Sequence, residues 1–276
     1  LWSLDYGVLL LWVGEVIKVW GVFMGGLLMR LLFALRSGFG FFSTIPVGIS
    51  MEGIVCFMRH SYLFPVVGFV LGLLIGVFSW LVGILDLSPF LRAVFVLVFI
   101  YGLTGLNHLD GLADFGDGVT AHGSREKKVG AMKDTRIGVG GIYYVVVGLL
   151  VLFSLILASW PFAFVVAEMG AKDAMLVVAC FGRSLHRGLG SVTVEGVSFF
   201  NLVLGLVVSF FLASLARGVW AVLAVFGGVL AGFFVLLVAN RNFGGVSGDV
   251  LGAANEFGRI WSLFFAVLFG VLWTLW

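Results

Sequence analysis

The chain has 276 residues, of which 62% are hydrophobic and 11% charged, with a formal net charge of +2, and its mean hydropathy is +1.19. An ordinary soluble domain, in which about a quarter of the residues are charged, is excluded; the net charge says little about partners, and no basic tract points to nucleic acid. What remains is an all-α, polytopic integral membrane bundle, with the lipid bilayer as solvent for helices that are apolar all round. At about 20 residues per crossing, the length allows about seven transmembrane helices, within a range of roughly six to eight.

In chain order, residues 1–29 come first. The apolar stretch from Gly7 to Leu28 carries Glu15 and Lys18 near its middle. It reads either as an extra N-terminal span, with the i, i+3 pair partly neutralising itself, or as a mis-started extension ahead of Met24 or Met29, and the second reading is preferred. No basic segment precedes the apolar run, as a cleaved signal peptide would require. Residues 30–276 read as a single polytopic membrane catalytic domain. Phe42–Gly48, FSTIPVG, interrupts an apolar run, and its chemistry is not legible from the residues alone.

The clearest spans are Val66–Leu85, Pro89–Leu106, Val139–Val166, Val197–Ala216, Val219–Ala239 and Ile260–Trp276. A shorter run, Ala174–Gly182, becomes a span if it extends back to about Glu168 and forward past Arg183. Three polar connections, His108–Gly138, Arg183–Glu195 and Asn240–Arg259, fall on one side together with Arg30–His60. Twelve of the sixteen Lys and Arg residues lie there, so the positive-inside bias predicts that this side is cytoplasmic, in a multi-pass cell-membrane protein. Glycine-rich runs at Val66–Leu74, Leu204–Val207 and Phe226–Gly232 predict close helix packing. Cys56 and Cys180 share no metal-type spacing and read as small buried hydrophobes.

Charge gathers in one place. His108–Gly138 holds ten of the thirty Asp, Glu, Lys and Arg residues. Asp110, Asp114 and Asp117, spaced i, i+4, i+7, share one face of a helix. Three carboxylates so close repel one another unless a cation sits among them, and hard oxygen ligands suit Mg²⁺. The competing reading is a solvated loop whose acids balance Lys127, Lys128 and Lys133. Lys133, Asp134 and Arg136, in MKDTRIG, offer a point charge and a bidentate clamp for phosphate, against a purely topogenic role. Gly244–Arg259 contains five glycines with Asp249 and Glu256; these two acids share a face if the segment is helical. His108 reads either as a metal ligand or as a positioning group. Arg183 and Arg187, one helical turn apart, read either as an anion site or as interfacial snorkelling residues.

Taken in order, FSTIPVG, TGLNHLDGLADFGDG, MKDTRIGVGG and GGVSGDVLGAANE resemble the cobalamin synthase family, the adenosylcobinamide-GDP ribazoletransferases. The resemblance covers roughly residues 39 to 260 of the sequence. Ile45 stands where the family often has a basic residue, Gly258-Arg259 replaces an often acidic end, and the first ~25 residues have no counterpart in the family's pattern. The resemblance implies a membrane transferase of the last stage of coenzyme B12 assembly. Such an enzyme joins α-ribazole, or its 5′-phosphate, to adenosylcobinamide-GDP and releases GMP, with Mg²⁺ as cofactor and other B12-assembly enzymes as candidate partners.

It further implies that Asp110, Asp114 and Asp117 hold the metal. Lys133 and Arg136 would stabilise the departing GMP, and Asp114, Asp134 or His108 would take the hydroxyl proton. Asp249 and Glu256 would complete the metal site or bind the nucleoside, with Arg183 a further substrate contact. The alternative is a CDP-alcohol phosphotransferase-type enzyme; its DGxxAR pattern is not met, because Ala113 is followed by Asp114. An ion-coupled transporter is less favoured, because the ionisable groups read as gathered in connections rather than within spans.

Overall fold

A computed structural model describes residues 26–274, and among them the chain is all-helical apart from one isolated parallel β-bridge between Ser184 and Val246. The expectations placed on residues 1–25 lie outside the described residues. Helix α1 occupies residues 26–42. It is followed by α2 (Met51–Arg59), a 3-10 turn (Ser61–Leu63), α3 (Phe64–Ile84), α4 (Pro89–Thr104), α5 (Asn107–Thr120) and α6 (Arg125–Met132). Then come α7 (Val139–Ala158), α8 (Ala163–Phe181), α9 (Leu189–Gly196), α10 (Phe199–Arg217), α11 (Val219–Asn242) and α12 (Gly248–Thr274).

Helix α8 runs through the centre, packed against α3, α11 and α12. Its close approach to α3 depends on glycine: a Cβ at Gly72 would stand 2.5 Å from the Val165 Cα. The three glycine-rich runs do make packing surfaces, with Gly68, Gly72, Gly205, Gly227, Gly228 and Gly232 all facing neighbouring elements. The outward faces of the surrounding helices are apolar and exposed, as at Val77, Val98, Leu150, Phe211 and Leu237. That is the pattern of a bundle solvated by lipid.

Among the described residues, three helical stretches are long and apolar enough to cross a membrane: Ser61–Ile84, Val139–Ala158 and Val219–Asn242. The count reaches five if the bent pairs α4–α5 and α9–α10 are each taken as one span. Two expected boundaries differ. The run Val139–Val166 is broken after Ala158, so that Val165 and Val166 belong to α8, which starts at Ala163 and ends at Phe181. The supposed connection Asn240–Arg259 is mostly helix, because α11 continues to Asn242 and α12 begins at Gly248.

The first break falls at Ser159–Phe162, which contains Pro161; the second shift has another cause. Ionisable residues were read as marking connections, whereas here they lie inside the bundle and are paired. The Arg259 guanidinium donates to Glu168 Oε1 at 2.5 Å and to the two Glu256 oxygens at 2.6 and 2.7 Å. Lys172 Nζ reaches Glu168 at 3.3 Å and Asn255 Oδ1 at 2.7 Å, and Tyr101 donates to Glu256 at 2.9 Å. Glu168, Lys172, Glu256 and Arg259 are each at most 1% exposed. Asp173, also buried, accepts from Ser209 at 2.6 Å. The ionisable groups are therefore not confined to connections, as the reading against a transporter had them.

Candidate active site

Helix α5 is turned 95° from α4. The corner is Gly105, whose φ of 74° lies in the left-handed region that favours glycine. FSTIPVG closes this corner from the other side: the Thr44 amide and hydroxyl donate to the Leu103 carbonyl at 2.8 and 3.2 Å, and the hydroxyl also donates to Gly102 at 2.8 Å. These bonds satisfy carbonyls left open at the end of α4. So turned, α5 lies across the beginnings of α7 and α12 instead of continuing the crossing. Gly111 makes the second crossing possible, since a Cβ there would meet the Asp249 carbonyl at 2.9 Å and the Gly252 Cα at 3.1 Å.

The three aspartates of α5 share a face, as their spacing predicts, but their surroundings differ. Asp110 is exposed, whereas Asp114 and Asp117 are half-buried. Asp117 accepts the amides of Gly138 at 2.7 Å and Gly141 at 2.8 Å, one on each oxygen. It thus caps the start of α7, where unpaired amides and the helix dipole favour an anion. Asp249, in the first turn of α12, joins Asp110 and Asp117 as an acid acting on Asp114. Its carboxylate accepts from the Ser247 hydroxyl at 3.1 Å.

The electrostatics agree with that geometry. Burial, then Asp249, Asp110 and Asp117 in turn, push the Asp114 carboxyl up to about 7. Asp249 is also raised, chiefly by burial and further by Asp110, against the Ser247 hydroxyl, His186 and Lys133, which favour its charged form. His108, 8% exposed, is pushed down to about 3 by burial and by the positive charges of Lys172 and Arg259.

Among the described residues, no three His, Cys, Asp or Glu side chains are already gathered as a metal-ligand group. The donor set nevertheless fits a hard cation. Asp110, Asp114 and Asp249 supply only oxygen, and their mutual repulsion, seen in the raised Asp114, is what a divalent ion relieves.

The other expected residues divide by location. His108, Asp110 and Asp249 line one cleft of about 450 Å³. Lys133 is close enough to Asp249 to act on its charge. Arg136 is exposed and makes a forked pair with Asp134, at 3.2 and 3.1 Å, which holds the Asp134 carboxyl below the usual range. Arg183 is exposed on a loop beside the β-bridge, not on a helix, so the one-turn relation to Arg187 is not realised. Glu256 lies inside the bundle, bound to Arg259 and Tyr101, and away from the cleft. Sequence reasoning missed the Glu168–Lys172–Arg259 network. Its signal was the i, i+4 and i, i+3 spacing of opposite charges within apolar stretches.

A sequence model described as Cobalamin-5-phosphate synthase matches residues 34–267. The adenosylcobinamide-GDP ribazoletransferase of Methanococcoides burtonii is 43% identical over 243 residues, covering 83% of this chain and 89% of that protein. The protein of the same name from Methanosarcina barkeri is 41% identical, with 84% and 90% covered. That of Pyrococcus abyssi is 38% identical, with 66% and 79% covered. No solved structure matches.

Proposed function

The chain belongs to the cobalamin-5-phosphate synthase family, and on that premise we propose that it is a membrane-embedded transferase joining α-ribazole, or its 5′-phosphate, to adenosylcobinamide-GDP. The products are adenosylcobalamin, or its 5′-phosphate, and GMP. The observation that carries this reading is the facing of Asp110 and Asp114 on α5 by Asp249 on α12, with Lys133 beside them.

The reaction is attack of a ribose 5′-oxygen on the phosphorus attached to cobinamide, with the bond to GMP breaking. Such transfers depend on positioning and on offsetting charge at the phosphoryl oxygens. A bound Mg²⁺, held by Asp110, Asp114 and Asp249, would supply part of that charge offset. Lys133, an exposed point charge, would meet the departing phosphate. Arg136, 89% exposed in its side chain, would exchange Asp134 for a phosphate oxygen pair. His108, which lines the cleft beside Asp110 with its Nδ1 unpartnered, would take the hydroxyl proton, since Asp114 is committed to the cation and Asp134 is turned towards Arg136. Asp117 holds the start of α7, and with it the MKDTRIG loop, against α5. With Arg259 withdrawn into the bundle, eleven of the sixteen basic residues remain assigned to this end, so the site would face the cytoplasm in a cell membrane.

The test is direct. Membranes carrying the full chain, supplied with adenosylcobinamide-GDP, α-ribazole and Mg²⁺, should release GMP and form cobalamin in equal amounts. Absence of both, while a control enzyme turns over alongside, would overturn the assignment.

A further inference from the structure

Arg92 lies in the first turn of α4, at the opposite end of that helix from the Gly105 corner and the aspartates. It lines a cleft of about 280 Å³ where the last turns of α3 and α7 meet the start of α4. We propose that this cleft binds the phosphate of an anionic membrane lipid, with the Arg92 guanidinium as its ligand.

The first observation is a cation without an acceptor. Among the described residues the Arg92 side chain makes no hydrogen bond or ion pair, and its Nε is buried with no partner. A guanidinium withdrawn from water in this way lacks the acceptors that normally offset its burial. The plainer role would be to meet the open carbonyls at the end of α3. A Cβ on Gly83 would stand 3.9 Å from Arg92 Nη1, so the guanidinium does reach that last turn, yet it donates to none of its carbonyls.

The lining selects the sign of the ligand. Arg92 is the charged side chain of the cleft, and no carboxylate lines it. Asp86, in the α3–α4 connection, is exposed and outside the lining. Ser79 adds a hydroxyl donor, whereas the Ser159 hydroxyl is already donated to the Ile156 carbonyl at 3.1 Å. A forked guanidinium matches two oxygens of a phosphodiester. A zwitterionic headgroup would bring an ammonium that finds no counter-ion here.

The surroundings select a lipid over a free anion. Trp80, Ile84 and Leu157 of the lining are exposed on the outward apolar surface, so the cleft is reached from the bilayer. Helix α7 has 20 residues and is therefore about 30 Å long, the thickness of the hydrocarbon layer. Its end at the cleft thus comes to headgroup depth, where tryptophans such as Trp80 gather. A lipid phosphate held by Arg92 leaves its acyl chains to run along the exposed Val77 and Val94, one turn deeper.

The experiment titrates the purified, delipidated full chain in detergent with phosphatidylglycerol and, separately, phosphatidylcholine, counting bound lipid by native mass spectrometry. The parent should hold one phosphatidylglycerol about tenfold more tightly than phosphatidylcholine. Arg92→Gln should abolish that preference, whereas Arg59→Gln, a cation removed at the other end of the bundle, should leave it within about twofold. Arg92→Lys keeps the charge and loses the fork; it should weaken phosphatidylglycerol about threefold, and it decides the matter if the Gln variant does not fold. Excess inorganic phosphate should leave the bound lipid in place. A parent without lipid preference, parent-like binding in the Gln or Lys variant, or displacement of the lipid by inorganic phosphate overturns the proposal.

Discussion

Removing the Arg259 side chain tests whether the buried ion network holds the bundle together. Arg259→Leu leaves Glu256 with Tyr101 and Asn255 as its remaining partners and Glu168 with Lys172 alone. All four ionised groups are at most 1% exposed, so water cannot replace what is lost. Breaking one partner out of a buried ionic set costs about 3–5 kcal/mol. At roughly 2–4 °C per kcal/mol for a chain of this length, the midpoint of thermal unfolding should fall by about 6–20 °C. The assay is thermal unfolding of the purified protein in a fixed detergent, followed by intrinsic fluorescence. A double variant, Arg259→Leu with Glu256→Leu, separates lost attraction from stranded charge. It removes one positive and one negative charge and keeps the Glu168–Lys172 pair, so at least half of the lost midpoint should return. A fall of less than 2 °C in the single variant, or a double variant no better than the single, would refute the reasoning.

Two further outcomes follow from the α5 end. Because burial and neighbouring acids raise Asp114 to about 7, the folded metal-free chain favours its protonated form. The resulting stabilisation is complete below about pH 4 and is lost as pH rises through about 7. A divalent cation must displace that proton, so Mn²⁺ affinity, read by electron paramagnetic resonance, should climb from pH 5 to about 7 and then level off. A profile flat from pH 5 to 8 would exclude Asp114 as a ligand. Gly111→Ala places a methyl 2.9 Å from the Asp249 carbonyl and 3.1 Å from the Gly252 Cα, both backbone atoms that have little room to yield. It should cost about 1–3 kcal/mol in unfolding experiments and lower turnover by separating Asp110 from Asp249. Parent-like turnover would show that this crossing does not position the acids.

Much of the architecture was legible in the chain itself. Period and spacing placed the aspartates of α5 on one face, and uncharged apolar runs located α3, α7 and α11. What was hidden has a common physical origin: hydropathy scores each side chain singly, whereas burial inside a bundle depends on its partner. Arg259 counts as a cost in any hydropathy window, yet it lies between two carboxylates, so α12 begins twelve residues before Ile260, where the uncharged run starts. Asp117 shows the converse. Its spacing is that of a ligand, but the amides that occupy it come from Gly138 and Gly141, more than twenty residues away. Asp249 was recognised as an acid in a flexible stretch, but its meeting with Asp110 required the crossing that Gly111 permits.

The pairing within the ion network also bears on how the chain is made. Glu168 and Lys172 are one turn apart on α8, and Glu256 and Arg259 are one turn apart on α12. Each helix therefore carries its own counter-ion when it leaves the ribosome and partitions into lipid, before any neighbour is present to neutralise it. The Glu168–Arg259 bond joins residues 91 positions apart, and it forms only when α12 has docked against α8. Membrane entry and helix docking thus become successive steps, the second closing a circuit of charges that the first has already made tolerable.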